Sequence, residues 1–147
     1  MIYLDHAATT PVAAQVLESM QPYFAGDFAN ASAIYEFGEK SRNVIAQARA
    51  IIAKSLRARP DEIYFTAGGS ESDNWALKGT AEAYREYGRH VITTQIEHHA
   101  VLNTCRYLEQ QGFEVTYLPV DEQGFVRLRQ LEQAIRPDTI LISVMFA

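Results

Sequence analysis

The chain is short of several things, and each shortage closes a route. It has one cysteine, Cys105, in 147 residues, so no disulfide can form within it. A lone thiol suits a reducing compartment. There is no basic run, and a net charge of -5 offers no positive field to gather a nucleic-acid backbone. No apolar stretch is long enough to span a bilayer, and "MIYLDHAATTP" lacks the charged start and apolar core of a secretory leader. Lysine is scarce, with Lys40, Lys54 and Lys78 making up the whole set. What is present is ordinary for a globular domain: 48% hydrophobic and 21% charged residues. The expected protein is soluble, cytoplasmic and mildly acidic, with no nucleic-acid or membrane partner.

Hydrophobic periodicity alternates between helix and strand patterns along the chain. Residues 12–24 predict a short helix interrupted near Pro22, and "DFANASAIYEFG" predicts a surface loop. Ile45, Ala48, Ile52 and Leu56 recur at three- and four-residue steps, predicting an amphipathic helix over Glu39–Leu56. "RPDE" breaks it and "IYF" predicts a short strand. Leu77, Ala81 and Tyr84 predict a helix ending near Gly88, and "HVITT" a strand. Val101, Cys105 and Leu108 predict a helix ending before Gly112, followed by a strand at "FEVTYL". A turn at "DEQG", a helix over residues 128–135 and a buried strand at "TILISVMF" complete the pattern. Such alternation implies right-handed crossovers and an α/β fold, a mainly parallel sheet flanked by helices. The carboxyl ends of strands in such sheets face the ligand crevice, so the chain is expected to stop at the lip of its own site. A natural terminal strand remains the alternative.

Within "FTAGGSESDN" a strand hands over to a helix across two glycines. That junction presents unpaired N–H groups and the positive end of a helix dipole, an anion site whose commonest occupant is phosphate. Ser70 adds a hydroxyl and is expected to cap the helix, with Glu71 to Asp73 suited to its first turn. The stretch matches neither the Walker nor the dinucleotide glycine pattern. Taken alone it reads as a structural turn.

"IEHHAVLNTC" places His98 and His99 just after the "HVITT" strand, on the same rim. An imidazole face can stack on an electron-poor ring, and its nitrogen can move protons near neutral pH. Helix capping is the competing role: it is the expectation for His99, and for His98 both readings stay open. Cys105 shares an apolar stripe with Val101 and Leu108 and is expected to be a buried, inert thiol. A metal site from His98, His99 and Cys105 lacks a fourth ligand and the usual spacing.

"YLDHAATTP", "FGEKSRNVIAQAR", "EIYFTAGGSESDNWALKG" and "EHHAVLNTC" occur in order over essentially the whole chain. Together they resemble the N-terminal part of the NifS/IscS-type cysteine desulfurases, in the class V aminotransferase family of fold-type I enzymes that use pyridoxal 5'-phosphate. The resemblance implies that Gly69 and Ser70 bind the cofactor phosphate. It implies that His98 stacks on the cofactor ring and assists proton transfer. Ala67 and Ser70 replace the family's usual small hydroxyl residue and threonine. No role follows for His6, where the family commonly has asparagine.

The family's cofactor lysine sits in a Ser-x-His-Lys context that none of the three lysines shares. Its Asn-Asn-Glu-x-Gly segment would follow Ala147, and its persulfide-forming cysteine would lie later still. The expectation is therefore an incomplete large domain: residues 1–30 an N-terminal segment, and 31–147 the first part of the cofactor-binding domain. The parent enzyme would take sulfur from L-cysteine, leave L-alanine and pass a persulfide to an acceptor protein, as in iron–sulfur cluster assembly. It would be a homodimer, and this chain alone would be inactive. Alternatives are a selenocysteine lyase or another class V enzyme, and a non-catalytic half-subunit that binds through an unfinished sheet edge.

Overall fold

Alanine-rich stretches with apolar residues one turn apart set the helices of the first half. α1 covers Ala14–Ala25 and α2 Glu36–Leu56. The computed structural model describes residues 2–146, so Ala147 of "TILISVMFA" lies outside the described residues. α1 runs through Pro22 instead of breaking there: the Gly26 N–H donates to Pro22 O at 2.9 Å, and only the bond that Pro22 itself would have donated is lost. α2 begins three residues before the expected Glu39. It ends on Arg57 in the left-handed region (φ 54°), from which Ala58 N–H returns to Ala53 O at 2.9 Å. A 3-10 turn at Pro60–Glu62 follows, and Arg59 N–H donates to Glu62 Oε2 at 2.7 Å. The chain divides into two compact units, one ending at Tyr64 and one beginning at Phe65.

The second unit is an α/β layer. Its elements are α3 (Gly69–Ala83), β1 (His90–Thr94), α4 (His99–Gln110), β2 (Glu114–Leu118), α5 (Leu128–Ala134) and β3 (Thr139–Ile142). The three strands are parallel in the order β2-β1-β3, with β1 central. Leu77 of α3 with Val101 and Cys105 of α4 pack against Val115, Tyr117 and Leu141 of the sheet. Ala81, Leu108 and Phe113 pack against Ile140. Both Ile140 and Leu141 reach this core because the register slips: His90 pairs with Thr139, but Val91 pairs with Leu141. An extra residue in one strand is what lets two successive side chains serve one face.

Two strand expectations change. "IYF" is not a strand: residues 63–65 form no ladder, because alternating or apolar sequence becomes a strand only with a hydrogen-bonding neighbour. "TILISVMF" contributes only Thr139–Ile142, half-buried instead of buried, since β3 is an edge with β1 on one side.

His90, fully buried at the start of β1, stitches all three strands. Its Nδ1 lies 2.7 Å from Thr139 Oγ1 on β3, and its Nε2 lies 2.8 Å from Thr116 Oγ1 on β2. Burial first, and then the Arg136 guanidinium, push its pKa below the ordinary imidazole value, while Asp138 and Glu114 pull the other way. Arg136 is itself held by Glu114 at 2.5 Å and Asp138 at 2.7 Å.

In the unfolded chain this imidazole takes up a proton near its reference value of about 6.5, and in the sheet only at lower pH. Below that reference value the unfolded state binds more protons, so stability falls as pH falls. Urea unfolding, followed through the single tryptophan Trp75, is expected to show a loss of stability between about pH 7.5 and 5.5. His90→Asn should remove much of that slope. A flat wild-type profile, or the same slope in both proteins, contradicts the role given to His90.

Candidate functional site

The head of α3 is assembled from its own neighbours. Gly68 is the N-cap and Gly69 the first helical residue, so Ser70 lies inside the first turn and is not the cap expected from the sequence. The first backbone bonds run from Glu71 N–H at 3.1 Å and Ser72 N–H at 3.2 Å to Gly68 O. The N–H groups of Gly69 and Ser70 come before these and have no carbonyl one turn back. The rest of the turn is braced internally. Thr66 Oγ1 lies 2.7 Å from Ser72 Oγ and donates to Gly68 O at 3.2 Å, while Ala67 N–H donates to Glu71 Oε2 at 2.6 Å.

Neither glycine is there to relieve strain. Gly68 is extended (φ 167°, ψ 176°), a conformation open to any residue. A Cβ built at Gly68 or Gly69 would meet nothing within 4 Å. Gly88 is different, because a Cβ there would run into the Asp138 backbone. The glycines at the head of α3 therefore leave open approach to bare amides, which fits a phosphate-bearing ligand better than it fits a packing requirement.

His98, not His99, caps α4. Its backbone is extended (φ -59°, ψ 149°) and its Nδ1 accepts from Ala100 N–H at 3.1 Å; His99 is the first helical residue. Capping and chemistry had stood as alternatives for His98, but the cap uses only Nδ1 and leaves Nε2 and the ring face available. With Nδ1 accepting, the neutral ring carries its proton on Nε2.

Ser70 and His98 line one cavity of about 450 Å³ between α3 and α4. Asn74, Asn103 and Thr104, which the sequence did not mark, line it as well, together with Lys78. A signal was there: Ser70, Asn74 and Lys78 are four residues apart, as are His99 and Asn103, so each set shares a helix face. Thr104 is 2% exposed, and its hydroxyl has no partner among the described residues. Lys78 lies eight residues beyond Ser70, about 12 Å along the axis at the helical rise. Its ammonium sits 4.4 Å from the centre of the Tyr107 ring. Lys40 is bonded to Asp27 at 2.6 Å, and Lys54 lies in the last turn of α2.

Cys105 is fully buried in the α3–α4 core, and burial, with Glu109 and Glu97 adding to it, pushes its thiol up to about 11. The thiolate is the reactive form, so the native protein holds an inert cysteine. A thiol reagent such as iodoacetamide at pH near 8 is expected to leave Cys105 unmodified in the folded chain and to label it after urea unfolding. Rapid stoichiometric labelling of the folded chain would contradict this.

The aminotransferase class-V family model matches residues 2–147. A cysteine desulfurase IscS from Methanosarcina thermophila is 58% identical over 146 residues, which is 99% of this chain and 36% of that protein. The chain thus spans just over a third of the length of that curated relative. Among solved structures, a NifS-like protein aligns over 99% of this chain and 40% of its own, with a TM-score of 0.94 and 42% identity. SspA in complex with cysteine aligns over 98% of this chain and 42% of its own, with a TM-score of 0.91 and 52% identity. With a family match along its described length and this degree of identity to relatives, the chain belongs to the aminotransferase class-V family.

Proposed function

We propose that this chain supplies the phosphate-holding and ring-facing part of a pyridoxal-phosphate-dependent cysteine desulfurase. One observation carries the reading: among the described residues two amides at the head of α3 have no backbone acceptor, the space beside Gly68 and Gly69 is open, and Ser70 shares a cavity with His98. The names of its relatives support the activity, and pyridoxal phosphate is the cofactor of such enzymes. Residues 1–30 are then an N-terminal segment, and 31–147 the first part of the cofactor-binding large domain.

Pyridoxal phosphate, when bound, supplies an electron sink that lets bonds around an amino acid's α-carbon break. The chain's residues do the holding and the proton work. Gly69 and Ser70 N–H groups, with the Ser70 hydroxyl, would donate to the phosphate, whose charge the positive end of α3 favours. The His98 ring would face the cofactor ring. With Nδ1 held by the cap, its Nε2–H would donate a hydrogen bond to the reacting groups, and the ring would pass on a proton only after Nδ1 had left the cap and taken one up. Overall, L-cysteine and an enzyme thiol become L-alanine and an enzyme persulfide, so the sulfur changes partner and no external oxidant is consumed. Cys105, buried and protonated, is not that thiol. The enzyme acts as a cytoplasmic homodimer and hands its sulfur to an acceptor protein, iron–sulfur cluster assembly being the fitting destination. Among the described residues no helix is long and apolar enough to cross a membrane.

Equilibrium binding tests the cradle. Gly69→Ala puts a methyl where nothing in the chain stands, so stability should change by less than about 1 kcal/mol. Pyridoxal phosphate binding should weaken about tenfold, as befits a lost or displaced charge-assisted hydrogen bond, with pyridoxal binding unaltered. Equal binding of the phosphate by both proteins would remove the cradle. None of the three lysines is placed at the head of α3, so the chain with L-cysteine and pyridoxal phosphate should release sulfide no faster than free pyridoxal phosphate does. Faster release would show that the chain is catalytic by itself.

A further inference from the structure

A glutamate directly precedes His98, and it is buried. Glu97 is 6% exposed, and its Oε1 accepts two hydrogen bonds. One comes from Thr94 Oγ1 at 3.0 Å and the other from Met145 N–H at 2.7 Å. Thr94 is the last residue of β1, and Met145 lies three residues beyond the end of β3. A single carboxylate oxygen therefore joins the carboxyl ends of two neighbouring strands, at the residue next to the cap of α4.

Burying a carboxylate is costly even with good partners, and apolar side chains of similar volume often hold a core as well or better. Cohesion alone is a weak reason for a glutamate here. Placement is a better one. Four residues, Gln95 to His98, connect β1 to α4. Gln95 N–H is fixed to Leu118 O at 3.0 Å, and Glu97 supplies the second fixed point, immediately before the ring. The bond from Ala100 N–H to His98 Nδ1 needs the connection and the helix head to keep this relation.

We propose that Glu97 is a positioning residue: by tying the ends of β1 and β3 together it holds the His98 ring at the sheet rim with its proton on Nε2. The purpose of this device rests on the cofactor-site reading, whereas its geometry does not.

The test uses the whole chain with ¹⁵N-labelled histidine, without cofactor, the His98 signals being assigned against His98→Gln. Ring-nitrogen NMR is expected to show His98 in one neutral form, protonated on Nε2, in the wild type. Glu97→Gln keeps an oxygen acceptor in place and should keep that form. Glu97→Ala should give averaged ring signals while β1 stays folded. With pyridoxal phosphate added, affinity should fall about tenfold in Glu97→Ala and recover in Glu97→Gln. A folded Glu97→Ala with His98 still in the single Nε2–H form overturns the proposal, as does a mixed tautomer in the wild type. If Glu97→Ala does not fold, Thr94→Val decides, since it removes one of the two bonds. Partial averaging then supports positioning, and an unchanged ring refutes it. Tautomer control by Glu97 in a chain that binds no pyridoxal phosphate would sink the cofactor reading and leave the positioning role standing.

Discussion

Among the described residues, two N–H groups at the head of α3 have no carbonyl to bond, and the side chains of the turn bond one another and the turn's own backbone. A helix start normally satisfies some of its leading amides with its cap side chain. Here the cap is Gly68, which has no side chain, and the nearby hydroxyls of Thr66 and Ser72 bond each other. Glu71 reaches back to Ala67 N–H, bracing the turn one residue upstream of the cap. The local sequence thus spends its polar side chains on the shape of the turn and leaves Gly69 and Ser70 to an outside acceptor. An anion is the acceptor that a helix head prefers.

The sheet behind this head is stiffened at both ends by buried polar groups. At the amino end, the His90 ring bridges Thr116 and Thr139 and so ties β2 and β3 to β1. At the carboxyl end, Glu97 ties β1 to the segment after β3. Between them Val91, Ile92 and Thr93 are fully buried, and the bulge at Ile140 lets β3 place two neighbouring side chains on the helices. The result is a rim on which α3 and α4 start at set positions and present Ser70 and His98 to one cavity.

How much of this the sequence disclosed follows from the range of the forces involved. α3, β1, α4 and β2 were legible because amphipathic spacing and β-branched runs are local signals; Leu77, Val101, Cys105 and Leu108 are buried as their periodicity predicted. What needed a neighbour was not legible. Residues 63–65 have strand composition and no partner, and the bulge at Ile140 is a property of pairing. Pro22 was read as a break, though a helix can pass a proline by forgoing one bond. Cap assignment at α3 and α4 was off by one or two residues, since Gly68 against Ser70 and His98 against His99 turn on backbone angles. Glu97 and His90 went unnoticed because a charged or titratable residue reads as surface until its partners, 48 and 49 residues away, come into view.

Amide NMR of the ¹⁵N-labelled chain, titrated in parallel with pyridoxal phosphate and with pyridoxal, probes the head of α3 most directly. The Gly69 and Ser70 N–H signals should show the largest and saturable shifts with the phosphate ester, and almost none with pyridoxal. Shifts that centre elsewhere, or that are the same for both compounds, would mean that these amides hold no phosphate.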